Sequence, residues 1–427
     1  MSLVQQIQMR LKSGALGLVI INMSGMGLSL VASVILARWL GVAGFGIYAQ
    51  IFALASMAAV VAGFGLPVHL WRSLSQAIEG KVQHIYAQHL LTQVCLIVVV
   101  GLGLVLIAPL FQGAGAFAAL ELVLLLFVLQ GLVRLAEMSL NAYDKTKLAA
   151  FLMKICLPLV QLGCLGLALW LSLDAVSWVL CGIAFWYLMI LVFDLGRMKL
   201  VSFSSVAAIP IIDLIKPRAL VGLLRSASAY FVVSSVLAIN TNIDLILLGL
   251  MINDEEAGLY RVALSFYSIM NIVTISIGTA MGPRISQAIN ADALLAFQGQ
   301  IRKSCRLAAL ILAFVGAGIF IFGASFVGWV YGLAFAGSIA PMLILASGAF
   351  LVGLAGPIGN FVVLLPLKRE LALSSLVLLG ANISANLLLI PMMGSSGAAT
   401  ATAGSALVWT LWLVFLVKRR TGVLCLV

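Results

Sequence analysis

A carboxylate and an amide lie four residues apart inside a long apolar stretch of this sequence. Asp244 and Asn240, with Thr241 and Asn242 between them, interrupt a run that is otherwise mostly aliphatic. A spacing of four places both side chains on one face of a helix. Two interpretations are open: the face binds Na⁺ or a proton, or balances a basic residue, or it joins two helices by hydrogen bonds.

Other charged residues inside apolar stretches are mainly basic. Arg134 and Lys154 are candidates to bind an anion such as a diphosphate in a cavity. The alternative is that both long side chains reach the head-group region, with Arg134 paired to Glu137 three residues further on. Glu121 lies near the start of the stretch that contains Arg134 and is a further candidate for ion coupling or for a polar cavity.

Three further patterns carry hypotheses about transport. Ser375, Asn382 and Asn386 form a polar stripe that either lines a path or holds helices together. Pro158, and Pro357 with its neighbouring glycines, are candidate helix kinks.

The composition excludes a soluble globular protein. The chain has 427 residues, of which 64% are hydrophobic and only 9% charged. Stretches of about twenty apolar residues must form helices in lipid, because lipid offers no partners for backbone polar groups. The fold class predicted is therefore an all-α integral membrane protein.

Twelve apolar segments are long enough to cross a membrane, six on each side of a polar connection. They are residues 16–37, 48–70, 90–110, 117–140, 149–171, 176–193, 227–250, 259–281, 307–330, 341–365, 371–390 and 398–417. The predicted organisation is an N-terminal half (1–200), a cytoplasmic linker (201–226) and a C-terminal half (227–427).

Basic residues predict the orientation, since cytoplasmic loops are enriched in Lys and Arg. With the N-terminus in the cytoplasm, only Arg38 and Arg261 of the 24 Lys and Arg residues fall at outer ends. Both termini are then cytoplasmic, and the net charge of +11 needs no nucleic acid. Arg38 and Arg261 either receive an anion on the outer side or act as interfacial anchors, with the acidic outer loop 254–256 as a possible ionic partner.

A short internal repeat relates the two halves. The triplet GIY at 46–48 recurs as GLY at 258–260, and Arg72 recurs as Arg284 at the same offset. Both copies lie at the start of an even-numbered span. Two six-helix bundles in the same orientation imply a pseudo-twofold axis along the membrane normal, with a path between them.

Residues 36–72 (LARWLGVAGFGIYAQIFALASMAAVVAGFGLPVHLWR) resemble the opening of the polysaccharide biosynthesis and oligosaccharide flippase family. Residues 243–286, which begin IDLILLGLMINDEEAGLY, resemble that family's seventh and eighth spans. The family belongs to a wider superfamily of drug and cation antiporters and lipid-linked sugar exporters.

The resemblance implies a transporter of a polyprenyl-diphosphate-linked oligosaccharide, such as an O-antigen, capsule or exopolysaccharide repeat unit, in the bacterial inner membrane. Na⁺ or H⁺ and polysaccharide polymerase or assembly proteins are the further partners expected. A drug or cation antiporter is the alternative, and a membrane polymerase is less favoured because the outer connections are short. The sequence predicts no enzyme, cofactor or metal site; it contains no phosphate-binding GK[ST] loop, and its cysteines lack paired spacing.

Overall fold

The computed structural model describes residues 3–77, 82–111, 119–143, 145–198, 217–290, 298–365 and 367–426. Within these residues every regular element is helical, which confirms the all-α fold class. The α-helices are α1 (Leu3–Gly63), α2 (Leu66–Ser75), α3 (Val82–Ile107), α4 (Leu120–Ala142), α5 (Thr146–Phe151), α6 (Leu157–Trp170), α7 (Ala175–Arg197), α8 (Pro217–Met251), α9 (Asp254–Asn290), α10 (Gln298–Phe326), α11 (Ile339–Gly353), α12 (Ile358–Leu364) and α13 (Lys368–Thr421).

Two helices are too long to be single spans. α1 has 61 residues and α13 has 54, which at 1.5 Å per residue gives about 90 and 80 Å against a hydrocarbon core of about 30 Å. Each is kinked at a glycine with positive φ: Gly41 at 71° and Gly394 at 57°. Glycine adopts this conformation without the steric cost of a Cβ.

The described chain has ten helical segments long and apolar enough to cross a membrane. The segment in α13 contains two of the predicted spans, and the segment in α1 contains most of the first two, so the total agrees with about twelve. The predicted span 48–70 was too long at its end, because the chain leaves helical geometry at Phe64 and Gly65, with φ of 45° and 74°, and continues as the separate helix α2. Large apolar side chains such as Phe314 and Trp329 are more than 80% exposed, as a lipid-facing surface requires. The protein is a multi-pass membrane protein.

The two arms of α13 form an antiparallel hairpin. Asn382 Nδ2 donates to Ser405 Oγ at 3.2 Å, and Trp409 Nε1 donates to Ser374 Oγ at 3.3 Å, across the two arms. The second arm begins at Ser395, whose backbone N–H donates to Glu256 Oε2 at 2.7 Å. A carboxylate at this position satisfies a free N–H group and suits the positive end of the helix dipole.

Proline positions agree with the kinks that the sequence predicts. α11 ends at Gly353 and α12 begins at Ile358, with Gly356 at φ 59° and Pro357 between them. Pro158 is the second residue of α6, which follows a π-helical turn, Leu152–Cys156, that joins α5 to α6.

The described helices group into two compact units. Unit 1 contains Met1–Leu40 and Ile51–Ala238, and unit 2 contains Gly41–Gln50 and Ile239–Val427. Thus the second arm of α1 begins in unit 2, and α8 begins in unit 1. The predicted domain boundary at 201–226 stays a prediction, because residues 199–216 lie outside the described residues.

Candidate functional site

Asp244 is the centre of a buried polar cluster in unit 2. Its side chain on α8 is only 3% exposed. Oδ2 accepts hydrogen bonds from Tyr260 Oη at 2.8 Å and from Thr402 Oγ1, and Oδ1 accepts from Asn386 Nδ2 at 2.7 Å. These partners come from α9 and from both arms of α13, so the α13 hairpin must form before the cluster exists.

Amide side chains extend the cluster along the first arm of α13. Asn382 and Asn386, each 0% exposed, are four residues apart on one face, and Asn386 Nδ2 lies 3.0 Å from both the backbone and side-chain oxygens of Asn382. These are two members of the predicted polar stripe. Ser375 instead donates to the Leu371 carbonyl at 2.8 Å.

The Asp244 cluster contains no counter-charge. Among the described residues, its hydrogen-bond partners are all neutral, and none of the ion pairs there involves it. The buried Oδ1 atoms of Asn386 and of the half-buried Asn240 accept no hydrogen bond. A buried carboxylate without a counter-charge is costly unless it takes up a proton or a cation. Carboxylate, amide and hydroxyl oxygens suit a hard cation.

A cluster of three charged side chains, Arg134, Glu137 and Lys154, lies in unit 1. Glu137, half-buried on α4, interacts electrostatically with Arg134 on the same helix and with Lys154. The structure thus brings together the two basic residues that the sequence singled out, around one acid. Two positive charges against one negative charge leave a net positive site.

The π-helical turn positions Lys154. Pro158 has no N–H to donate to the carbonyl of Lys154 four residues earlier, so regular α-helical bonding fails here. Trp186 Nε1 donates to the Leu152 carbonyl at 3.2 Å, which satisfies one group of this turn. Gly25 of α1 packs against it so closely that a Cβ there would lie 2.7 Å from the Lys154 carbonyl oxygen.

A second buried carboxylate, Asp194, was not singled out by the sequence. It is 0% exposed on α7 and accepts from Tyr86 Oη at 2.8 Å and from Ser139 Oγ at 2.6 and 2.8 Å. Arg197 pairs with it at 2.7 Å and stacks over the Tyr143 ring at 4.8 Å. The spacing of three between Asp194 and Arg197 is the signal that could have revealed this pair.

The other predicted site residues are not among the hydrogen-bond or electrostatic partners described for these clusters. Arg38 and Glu121 are exposed in unit 1, Glu121 in the first turn of α4. Arg261 is half-buried on α9. The acids 254–256, predicted as a loop, instead form the first turn of α9, and two of them have other partners: Asp254 accepts from Gln50 Nε2 at 2.7 Å, and Glu256 caps the second arm of α13. Roles for Arg38, Glu121 and Arg261 stay predictions.

The repeated glycines meet in unit 2, where α1 crosses the start of α9. A Cβ on Gly46 would collide with the Asp254 carbonyl oxygen, and a Cβ on Gly258 would collide with the Val42 carbonyl oxygen. The offset of 212 residues that relates Gly46 to Gly258 also relates Val42 to Asp254. The crossing is therefore made of two equivalent contacts, each of which leaves no room for a side chain.

Comparisons with solved structures establish the fold. A lipid II flippase, MurJ, in an inward closed conformation has a TM-score of 0.74 and 14% identity, over 94% of this chain and 87% of that one. An inward-facing multidrug resistance MATE family transporter of the MOP superfamily has a TM-score of 0.72 and 12% identity, over 94% and 98%. A MOP superfamily transporter from Pyrococcus furiosus has a TM-score of 0.61 and 14% identity, over 96% of each chain.

Comparison by sequence gives the family. No curated protein matches the chain. Residues 11–289, well over half of the 427, match the family described as polysaccharide biosynthesis protein. The chain belongs to the polysaccharide biosynthesis protein family.

Proposed function

We propose that this protein moves a polyprenyl-diphosphate-linked oligosaccharide from the cytoplasmic to the periplasmic leaflet of the bacterial inner membrane. The cargo is an O-antigen, capsule or exopolysaccharide repeat unit, and both termini are cytoplasmic. The observation that carries the proposal is the Arg134, Glu137 and Lys154 group, because its net positive charge within membrane helices suits a diphosphate. Family membership and the likeness to a lipid II flippase support it.

The Asp244 cluster is proposed as the site of the coupling ion, Na⁺ or H⁺. Among the described residues, its carboxylate has no counter-charge and the Asn386 Oδ1 atom accepts no hydrogen bond. Binding of a cation would draw α8, α9 and both arms of α13 together, since each supplies a member of the cluster. That contraction is how an ion gradient could bias one conformation over another.

Alternating access requires that helices which touch in one state separate in the other. The Gly46 and Gly258 crossing suits a reversible contact, because backbone meets backbone there and no side chains need to interdigitate. The predicted orientation places this crossing at the periplasmic side. Neither the chain's proposed transport cycle nor its clusters require an enzymatic step or a cofactor. Polymerase and assembly proteins are the proposed partners.

The test is the sidedness of lipid-linked oligosaccharide in cells that lack the protein, measured with a membrane-impermeant probe. Complementation uses wild type, Arg134→Gln and Lys154→Gln, with Arg306→Gln, an exposed residue of unit 2, as the matched control. We expect the cargo to accumulate facing the cytoplasm, and only wild type and the control to restore its exposure. Normal exposure without the protein would remove the proposal.

A drug or cation antiporter is the second candidate, favoured by the buried carboxylate of Asp244 and by the likeness to a multidrug transporter. The same cells distinguish the two functions. An antiporter predicts greater sensitivity to cationic drugs without the protein, rescue that depends on Asp244, and no change in lipid-linked oligosaccharide.

A further inference from the structure

The α13 hairpin carries a groove on its exposed side. A cavity of about 400 Å³ lies between the two arms, from Glu370 and Leu416 at one end to Ala381 and Ser405 at the other. Its rims are exposed apolar side chains, among them Val377 at 72% and Val408 at 67%. This volume is in the range of ordinary ligand sites.

The groove has the length of one bilayer leaflet. Glu370 and Ala381 are eleven residues apart on one helix, or about 16 Å at 1.5 Å per residue, and half of the hydrocarbon core is about 15 Å. Two polar groups on its floor are already paired with each other, because the Trp409 indole N–H donates to Ser374 Oγ at 3.3 Å. A hydrocarbon chain would therefore bury apolar surface without isolating a polar group.

Charge is concentrated at one end of the groove. Arg420 pairs with Glu370, a lining residue, at 3.0 Å. Arg419 and Arg420 follow the lining residue Leu416 by three and four positions, so both continue the groove-facing stripe of the second arm. Among the side chains that the structure describes at this mouth, arginines outnumber the one glutamate.

We propose that this groove binds one anionic diacyl phospholipid, with an acyl chain between the two arms and the head group at Arg419 and Arg420. The phosphodiester of such a lipid is an anion that the arginines of this mouth can bind. The orientation predicted from the basic residues places this end at the cytoplasmic face, where anionic lipids attract basic clusters. The inference does not depend on the proposed cargo.

The far end of the groove touches the ion cluster. Ser405 lines the groove and accepts from Asn382, whose oxygens in turn hold Asn386 against Asp244. A lipid that fixes the spacing of the two arms therefore also fixes the geometry around Asp244.

The experiment is native mass spectrometry of the full chain in neutral detergent, with added phosphatidylglycerol or phosphatidylcholine. We expect one phosphatidylglycerol to be retained in preference to phosphatidylcholine. Arg419→Gln should weaken that binding about fivefold, the effect of one basic residue near an anionic head group. Lys418→Gln is the control, since Lys418 is exposed on the side of the helix that faces away from the groove.

The acyl-chain part of the proposal has its own pair of variants. Ala381→Trp fills the deep end of the groove and should abolish preferential retention. Leu411→Trp is its control, because Leu411 is 54% exposed on the same hairpin outside the groove. Equal retention of both lipids, or wild-type binding by Arg419→Gln, would overturn the proposal. Displacement of phosphatidylglycerol by equimolar farnesyl diphosphate would assign the groove to an isoprenoid lipid instead.

Discussion

Two buried aspartates, one in each unit, show how similar surroundings lead to different chemistry. Asp194 in unit 1 and Asp244 in unit 2 are 0% and 3% exposed, and each accepts hydrogen bonds from a tyrosine and from a Ser or Thr hydroxyl. The third partner differs. Asp194 has the Arg197 guanidinium, whereas Asp244 has the neutral amide of Asn386.

In the proposed function, this difference separates a structural carboxylate, Asp194, from an ion-binding one, Asp244. Arg197 neutralises the Asp194 carboxylate without any ion from outside, so the Asp194 cluster can keep its hydrogen bonds throughout a transport cycle. Asp244 has only dipoles around it among the described residues, and its charge is balanced only when a proton or cation arrives. The comparison rests on that single partner, and substitutions in the two clusters test it.

The largest expected effect is on stability in unit 1. Asp194→Asn leaves the Arg197 guanidinium without its carboxylate and should destabilise the protein by about 3 kcal/mol, the lower end for breaking a buried pair. Asp244→Asn removes an uncompensated charge and should cost far less, while it abolishes ion coupling. Thermal unfolding of both variants in detergent checks this, and equal destabilisation would contradict the comparison.

The tyrosine partners provide a matched test of the same contrast. Tyr86→Phe removes a hydrogen bond to a carboxylate that is paired with the Arg197 guanidinium, and should cost about 2 kcal/mol, as for bonds to charged groups. Tyr260→Phe should cost about 1 kcal/mol when Asp244 is neutral, because that bond is then an uncharged one. Unfolding measurements that reverse this order would show that Asp244 stays charged without an ion.

Sodium should stabilise the protein through unit 2 alone. At ten times its dissociation constant, Na⁺ would add about 1.4 kcal/mol to the free energy of unfolding. The check is the melting temperature in NaCl against choline chloride at equal ionic strength. Asp244→Asn should lose the increase. Should wild type show none either, the coupling ion would be a proton.

The smallest expected effect concerns pH and a histidine pair in unit 1. His89 Nδ1 donates to the Ile85 carbonyl at 2.7 Å, so in neutral His89 Nε2 accepts from His69 Nδ1 at 2.9 Å. Burial, and then the Arg72 charge, lower the pKa of His69 from 6.5. Stability should therefore be full above pH 6.5 and fall as the pH decreases below it. His69→Gln should flatten that dependence, measured by unfolding between pH 5 and 8.

The sequence predicted the spans well, because apolar length alone requires helices in lipid. It did not predict that α1 and α13 would each join two spans through a glycine, since one φ angle leaves no trace in hydropathy. The predicted span 176–193 also ended just before Asp194, so a buried pair of Asp194 with Arg197 was not expected.

The candidate site was predictable in part. Asp244, Asn382 and Asn386 were identified because each is polar within an apolar run. Tyr260 and Thr402 were missed as its partners, because Thr402 lies 158 residues from Asp244 and Tyr and Thr are unremarkable in membrane helices. Which distant hydroxyl reaches a carboxylate depends on helix packing, which sequence spacing does not encode.

The two glycines of the crossing share one steric requirement, because neither position has room for a side chain. If one ancestral six-helix unit was duplicated, both copies inherited the same requirement for glycine. Gly46 of the first copy now packs against Asp254 of the second, and Gly258 of the second packs against Val42 of the first. Replacement of either glycine by a larger residue would push the two helices apart and so disrupt the contact of the other glycine as well. Two positions 212 residues apart should therefore evolve as one.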